Sequence, residues 1–258
     1  MLQNTITPPD TAPSGRRRRR RTRALTGGLV ALLVLGTVLW WFCGRDTPDK
    51  VNIDAAASGI AANSAGTGAA TGAGGLDGTW DVDTTTGDFD FDSATGTFAG
   101  FRIDEELAGI GATEAVGRTG DVSGSFVIDG TTVTDAQFSV DMTAITTNDS
   151  MRDRRVQEAL ATTQYPTAEF RLTEPIDLGA GVASGDTVEV DARGELTIHG
   201  VTREVSIPLQ ARLVDGTAVV VGALDLSFAD YGVTVPSSMK VVSVEDHGTV
   251  ELQLLLQR

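Results

Sequence analysis

One cysteine, Cys43, stands in 258 residues. Its isolation excludes an intramolecular disulfide and any zinc site built on paired thiolates. A domain without disulfides has to be held by its own core, which roughly 180 residues can supply. Histidine is nearly as scarce. His199 and His247 each precede a glycine in a turn-like context, where solvated positions are expected rather than metal ligands. No Gly-x-Ser-x-Gly elbow and no His-x-x-x-His helix is present. Acids are so numerous that chance carboxylate pairs mean little, and no nucleophile is tied to any of them, so a non-enzyme is expected, with no metal and no cofactor. Basic residues are also missing from most of the chain. The net charge is −15, but nine of the 20 basic residues fall in the first 50 positions, against three of the 35 acids. The remainder therefore holds 11 basic and 32 acidic residues. Such a domain repels phosphate backbones, which argues against nucleic-acid binding. It should stay soluble as a monomer, or at most a weak dimer, unless something specific pairs it.

The first 75 residues read as address and tether. Residues 1–23 are a polar, Pro-containing tail ending in Arg16 to Arg21 and Arg23, a disordered and cytoplasmic composition. Residues 24–43, ALTGGLVALLVLGTVLWWFC, carry no charge and are long enough as a helix to cross a membrane. The arginines would stay inside, sending the rest outward, with Trp40, Trp41 and Phe42 at the outer interface. A cleaved signal peptide is the alternative, opposed by the length of the run and its bulky end. Residues 44–75, rich in Ala, Gly, Ser and Thr, read as a flexible linker. Its glycines are followed by no Lys-Ser/Thr and so do not make a phosphate loop.

From Leu76 the hydrophobic period is two. Val188, Val190, Ala192, Gly194, Leu196 and Ile198 share one face, and Val201, Val205, Ile207, Leu209, Ala211 and Leu213 repeat the pattern after a His199-Gly200 turn. Further strands are expected at Trp80–Asp83, Asp88–Asp92, Thr97–Ile103, Gly124–Ile128, around Phe138 and Phe170, from Val220 past the Asp215-Gly216 turn, and at Val250 to Leu256. Gly109–Gly120 reads as an exposed loop. Eight or more strands with one apolar face each make an all-β antiparallel sandwich or closed barrel. Small inward residues (Ala136, Ala168, Ala192, Gly194) suit an enclosed cavity, or equally a tightly packed core. One short helical insert breaks the pattern between Asn148-Asp149-Ser150 and Tyr165-Pro166, ending near Ala161, with Ser150 and Asp153 at capping-box spacing.

These residues carry a resemblance. Thr147 with Arg152-Asp153, then Tyr165-Pro166-Thr167-Ala168-Glu169-Phe170, then Leu196-Thr197-Ile198-His199-Gly200-Val201-Thr202-Arg203 are similar in order and spacing to the signatures of the YceI family. Gly78-Thr79-Trp80 and Asp230-Tyr231-Gly232 resemble its opening and late segments. The likeness covers residues 76–258. It implies a lipocalin-like eight-stranded barrel that holds a long polyisoprenoid chain, in some members an isoprenoid quinone or prenyl phosphate, and is not catalytic. The insert departs from the family in lacking its Phe-Phe, where Gln157-Glu158-Ala159-Leu160 stands.

With that implication, Phe98, Phe101, Phe126, Phe138, Met142, Phe170, Leu196 and Phe228 are the candidate cavity-lining set, and filling a solid core is the other use for them. Arg152, Asp153 and Tyr165 are the candidate headgroup or lid residues. Asp153 also suits the helix start, and Arg152 suits loop carbonyls or carboxylates. The expected function is an outward-facing, membrane-anchored barrel that sequesters or carries an isoprenoid chain. A cell-surface interaction module with a side-chain-filled barrel is the alternative.

Overall fold

The computed structural model describes residues 47–64, 75–109, 111–234 and 241–258. The proposed anchor at 24–43 and the tail before it lie outside the described residues. Among those that are described, no helix is long and apolar enough to cross a membrane.

The chain order is α1 (Ile53–Ser64), β1 (Gly78–Val82), β2 (Phe98–Leu107), β3 (Gly111–Thr119), β4 (Val122–Asp129), β5 (Thr132–Asp141), β6 (Thr146–Thr147) and α2 (Ser150–Ala159). It continues with β7 (Thr167–Leu172), β8 (Ile176–Asp177), β9 (Val188–Ile198), β10 (Val201–Val214), β11 (Thr217–Ser227), β12 (Val241–Val244) and β13 (His247–Gln257). Every pairing is antiparallel, and eight strands close a ring in the order β1-β4-β5-β7-β9-β10-β11-β13 and back to β1. Closure decides between sandwich and barrel, and it removes the free edges an open sheet would present. One edge of β13 is shared: Leu256 pairs with β1, while Thr249 to Gln253 pair with β2. β1 and β2 thus lie end to end along it, and β3 and β12 flank β2.

Turn chemistry sets the long hairpins. His199 (φ 53°) and Gly200 (φ 74°) join β9 to β10, and Asp215 (φ 48°) and Gly216 (φ 85°) join β10 to β11. Two consecutive positive φ values match the right-handed twist of the flanking strands. Inside, phenylalanines cover glycines on neighbouring strands. A methyl placed on Gly117 would lie 2.4 Å from the Phe101 ring, one on Gly194 2.6 Å from Phe170, and one on Gly248 2.5 Å from Phe228. Gly194 therefore does not open space; it makes room for Phe170.

Four expectations need correction. Residues 44–75 are not all tether, because α1 buries Ile53, Ala56 and Ile60 against the outward Val219, Val221 and Leu255. The i, i+3, i+7 spacing supplies one apolar face, and the Asn52 side chain accepts from the N–H groups of Asp54 and Ala55 at the helix start. Asp88–Asp92 is a loop rather than a strand, held by Asp88 carbonyl bonds to Thr95 and Gly96. Gly109–Gly120 is largely strand β3, which pairs along the whole of β2. His199 is half-buried instead of solvated: its ring meets Tyr165 edge-on at 4.9 Å and its Nδ1 lies 3.2 Å from the Tyr231 carbonyl oxygen.

Candidate functional site

The barrel encloses a cavity of about 200 Å³ with an almost wholly apolar wall. Its lining runs from Trp80, Val182 and Leu213 at one end to Met142, Leu160 and Phe228 at the other. In β9 alone it extends from Val190 to Ile198, about 27 Å of strand and about 20 Å along a barrel axis at ordinary tilt. The volume is small for a lining of that length.

The alternation of β strands decides who reaches it. Phe101, Phe126, Phe138, Met142, Phe170, Leu196 and Phe228 line the cavity. Phe98 does not. It is three residues from Phe101, so the two side chains leave opposite faces of β2. Phe98 is buried on the outer side, with the Arg118 guanidinium 4.4 Å above its ring. Trp80 is buried at the far end, donating from Nε1 to the Leu76 carbonyl at 2.9 Å and stacking on Phe126 at 6.2 Å.

The other end is covered by α2. Val156 from this helix packs with Ile103, Ala115, Ile145 and Phe228 in a second apolar cluster above the cavity. Polar ties hold the helix down. Asp153 Oδ1 accepts from the Thr147 N–H and hydroxyl, both at 2.7 Å. Gln157 donates to the Thr143 carbonyl at 2.8 Å. Arg152 donates to Asn148 Oδ1 and forms an ion pair with Glu105. After the helix, Ala161 takes φ 46° and the chain reaches Tyr165, whose ring seats on Gly200 and His199. Arg152, Asp153 and Tyr165 thus fasten the two ends of the cover, each to a different partner.

Glu105 was not legible as a site residue, though its register was. It shares the inward face of β2 with Phe101 and Ile103, where an apolar residue is the norm, and its side chain is 5% exposed. Burial pushes its carboxyl above the usual range against the pull of Arg152, and Asp149 adds to the rise.

A second buried polar group lies outside the barrel wall. Glu251 (1% exposed) accepts from Arg102 Nε through Oε2 and from Arg118 Nε through Oε1, both at 2.8 Å. Arg102 also reaches Glu114 at 2.7 Å and the Pro48 and Asp49 carbonyls at 2.6 Å, and Arg118 shares the Asp49 carbonyl. These charges pin the segment leading into α1 over β2, β3 and β13. They face away from the cavity and are structural.

A model of the YceI-like domain matches residues 52–256, a span that includes α1. A UPF0312 protein of Vibrio parahaemolyticus is 28% identical over 157 residues, covering 56% of this chain and 78% of its own. Protein YceI of Shigella flexneri is 31% identical over 121 residues, 45% of this chain and 56% of its own. A polyisoprenoid binding domain from Saccharophagus degradans, implicated in plant cell wall breakdown, superposes with a TM-score of 0.51 at 19% identity, over 69% of this chain and 97% of that one. At that identity the likeness speaks for the fold. With the family match spanning most of its length and an eight-stranded barrel closed around an apolar channel, this chain belongs to the YceI-like domain family.

Proposed function

We propose that this chain binds the hydrocarbon part of an isoprenoid lipid, a polyprenol or isoprenoid quinone, inside its barrel. Residues 24–43 would hold the domain at the outer face of a membrane, with residues 1–23 on the cytoplasmic side. The observation that carries the reading is the apolar cavity whose lining reaches from Trp80 to Phe228. Each methylene moved from water into such a wall contributes about 0.8 kcal/mol, and so apolar a wall offers a headgroup almost nothing to bind, so the headgroup would remain at the α2 end. A channel of about 200 Å³ falls short of the ~300–1,000 Å³ usual for small-molecule sites. It suits a slender chain better than a ring, and a long chain would require the α2 cover to move. The same small volume favours a second reading, a surface interaction module whose barrel is filled by its own side chains.

The two readings separate in one experiment. The full chain is taken from membranes into copolymer discs, purified, extracted and examined by mass spectrometry, then offered menaquinone and polyprenol. Stoichiometric co-purified or acquired isoprenoid supports lipid binding. A lipid-free protein that takes up neither leaves the interaction module standing.

A further inference from the structure

We infer that Trp80 measures the bound chain: the free end of the lipid tail stops against the indole, and the preferred ligand is the longest chain that fits between it and the α2 cover. The inference rests on the lipid-binding reading above and gives it a chain-length specificity set by a named residue.

The fixed position of the indole is the first argument. Trp80 belongs to the cavity wall at the end opposite α2 and is 4% exposed. Three contacts hold it there. Its Nε1 donates to the Leu76 carbonyl, its ring stacks on Phe126, and the Arg258 guanidinium lies 5.6 Å from the ring centroid. Arg258 is itself tied to the Gly75 and Asp77 carbonyls, at 2.8 and 2.9 Å. Turning the indole aside would leave a buried N–H without its acceptor, which opposes any yielding to an advancing chain.

The floor around it is the second. Backbone bonds hold that floor together. β8 pairs with Thr132 and Val133 of β5, and the Leu178 N–H donates to the Thr131 carbonyl at 2.9 Å. The turn that carries Val182 is closed by the Gly185 and Asp186 N–H groups on the Val182 and Gly181 carbonyls. Ile176 and Val182 from these segments line the cavity in one cluster with Trp80. At the other end α2 is held by side chains, those of Asp153, Gln157 and Arg152. The α2 end is therefore where a chain enters, and the Trp80 end is where it stops.

Length then governs affinity. While the tail has room, each further methylene leaves water and tightens binding about fourfold. Once the tail meets the indole, the next methylene has to stay outside or overpack the wall, and the tightening ends.

Two measurements on the full chain test this. The first locates the tail. With Trp40→Phe and Trp41→Phe, Trp80 is the one tryptophan left of three, and the fluorescence reports on its surroundings alone. A long-chain alcohol brominated on its last carbon should quench it, and the same alcohol brominated beside the hydroxyl should not. Equal quenching by the two overturns the inference. The second locates the limit. Straight-chain alcohols, each one methylene longer than the last, compete with a fluorescent fatty probe on Trp80→Leu and on wild type. Partition into surrounding lipid is common to both proteins and cancels in the ratio of their affinities. That variant-to-wild-type ratio should be flat for short chains. Beyond the wild-type limit it should rise about fourfold for every methylene that only the variant admits. A ratio independent of length overturns the inference, and so does an equal rise in Leu160→Ala, which would put the limit at the α2 cover. Alcohols of every length failing to displace the probe sink the lipid reading itself and this inference with it. If Trp80→Leu does not fold by circular dichroism, Trp80→Phe and Val182→Ala decide: a smaller rise at the same length supports the inference, and a flat ratio in both overturns it.

Discussion

Replacing Glu251 by alanine should be among the most damaging single changes in this domain, although the residue faces away from the channel. Both of its oxygens are used, one on each of two arginines that are 4% and 3% exposed. Taking away one partner of a buried pair leaves an uncompensated charge in a poorly solvated place, a loss of about 3–5 kcal/mol. Arg102 retains Glu114, so Arg118 bears most of the damage. For a domain of this size each kcal/mol lowers the melting temperature by about 2–4 °C, which predicts a fall of about 6–20 °C. Thermal unfolding of the full chain followed by circular dichroism measures it. Glu114 is 21% exposed, and Glu114→Ala serves as the comparison, with an expected loss of about 1 kcal/mol or less. A fall of under about 3 °C for Glu251→Ala, or one no larger than for Glu114→Ala, would refute the reasoning and mean that water reaches both guanidiniums.

Other outcomes follow from single features. Ala161 has φ 46°, a conformation that strains any side chain by about 1–2 kcal/mol; Ala161→Gly should stabilise by up to about 1 kcal/mol, and a lower urea midpoint would contradict this. Ile60 is 1% exposed beneath α1, so Ile60→Ala should cost about 2–4 kcal/mol and speed proteolysis within residues 47–64; unchanged cleavage there would show that the helix does not depend on this contact. A methyl at Gly194 would lie 2.3 Å from the Arg171 carbonyl oxygen, so Gly194→Ala should reduce stability by about 1–3 kcal/mol despite its small size, and a neutral result in chemical denaturation would argue against the packing described. Glu105 holds its proton more tightly folded than unfolded, with burial as the leading cause. Its favourable contribution is complete below the ordinary carboxyl value and is lost as pH rises through the folded one. Glu105→Gln should therefore lose less stability than wild type as pH rises from 4 to 8, and parallel curves would dismiss the effect.

What could be read from the residues was whatever depends on neighbours in sequence. The alternation of Val188 to Ile198 and the turns at His199-Gly200 and Asp215-Gly216 are local facts, and β9, β10 and β11 follow them. The insert was legible for the same reason, its helix closing at Ala159, two residues before the expected end. Phe98 was misplaced by counting apolar residues without counting parity; three residues from Phe101 is an odd step, and an odd step changes face. The helix at Ile53–Ser64 was hidden by its composition, since alanines and glycine look like linker until a second surface is found for them. That surface had left a trace: Val219-Val220-Val221 and Leu254-Leu255-Leu256 do not alternate, as expected of strands buried on both sides. The ion pairs of Glu251 and Glu105 left no trace at all. Their partners lie 149, 133 and 47 residues away, and charge alone does not say which acid meets which arginine.

The shared edge of β13 also sets a timetable. It is the last barrel strand to be made, yet it must meet β1 and β2, with Arg102 waiting 149 residues for Glu251. At ~5–20 residues per second that is about 7–30 s of synthesis. Throughout it the ring is open, α1 lacks Leu255 to rest on, and the edges of β1 and β2 that β13 will occupy are unpaired. Contacts of such long range form slowly even once the partner exists. A growing chain of this design therefore needs shelter from its neighbours until β13 arrives, whatever the finished barrel goes on to hold.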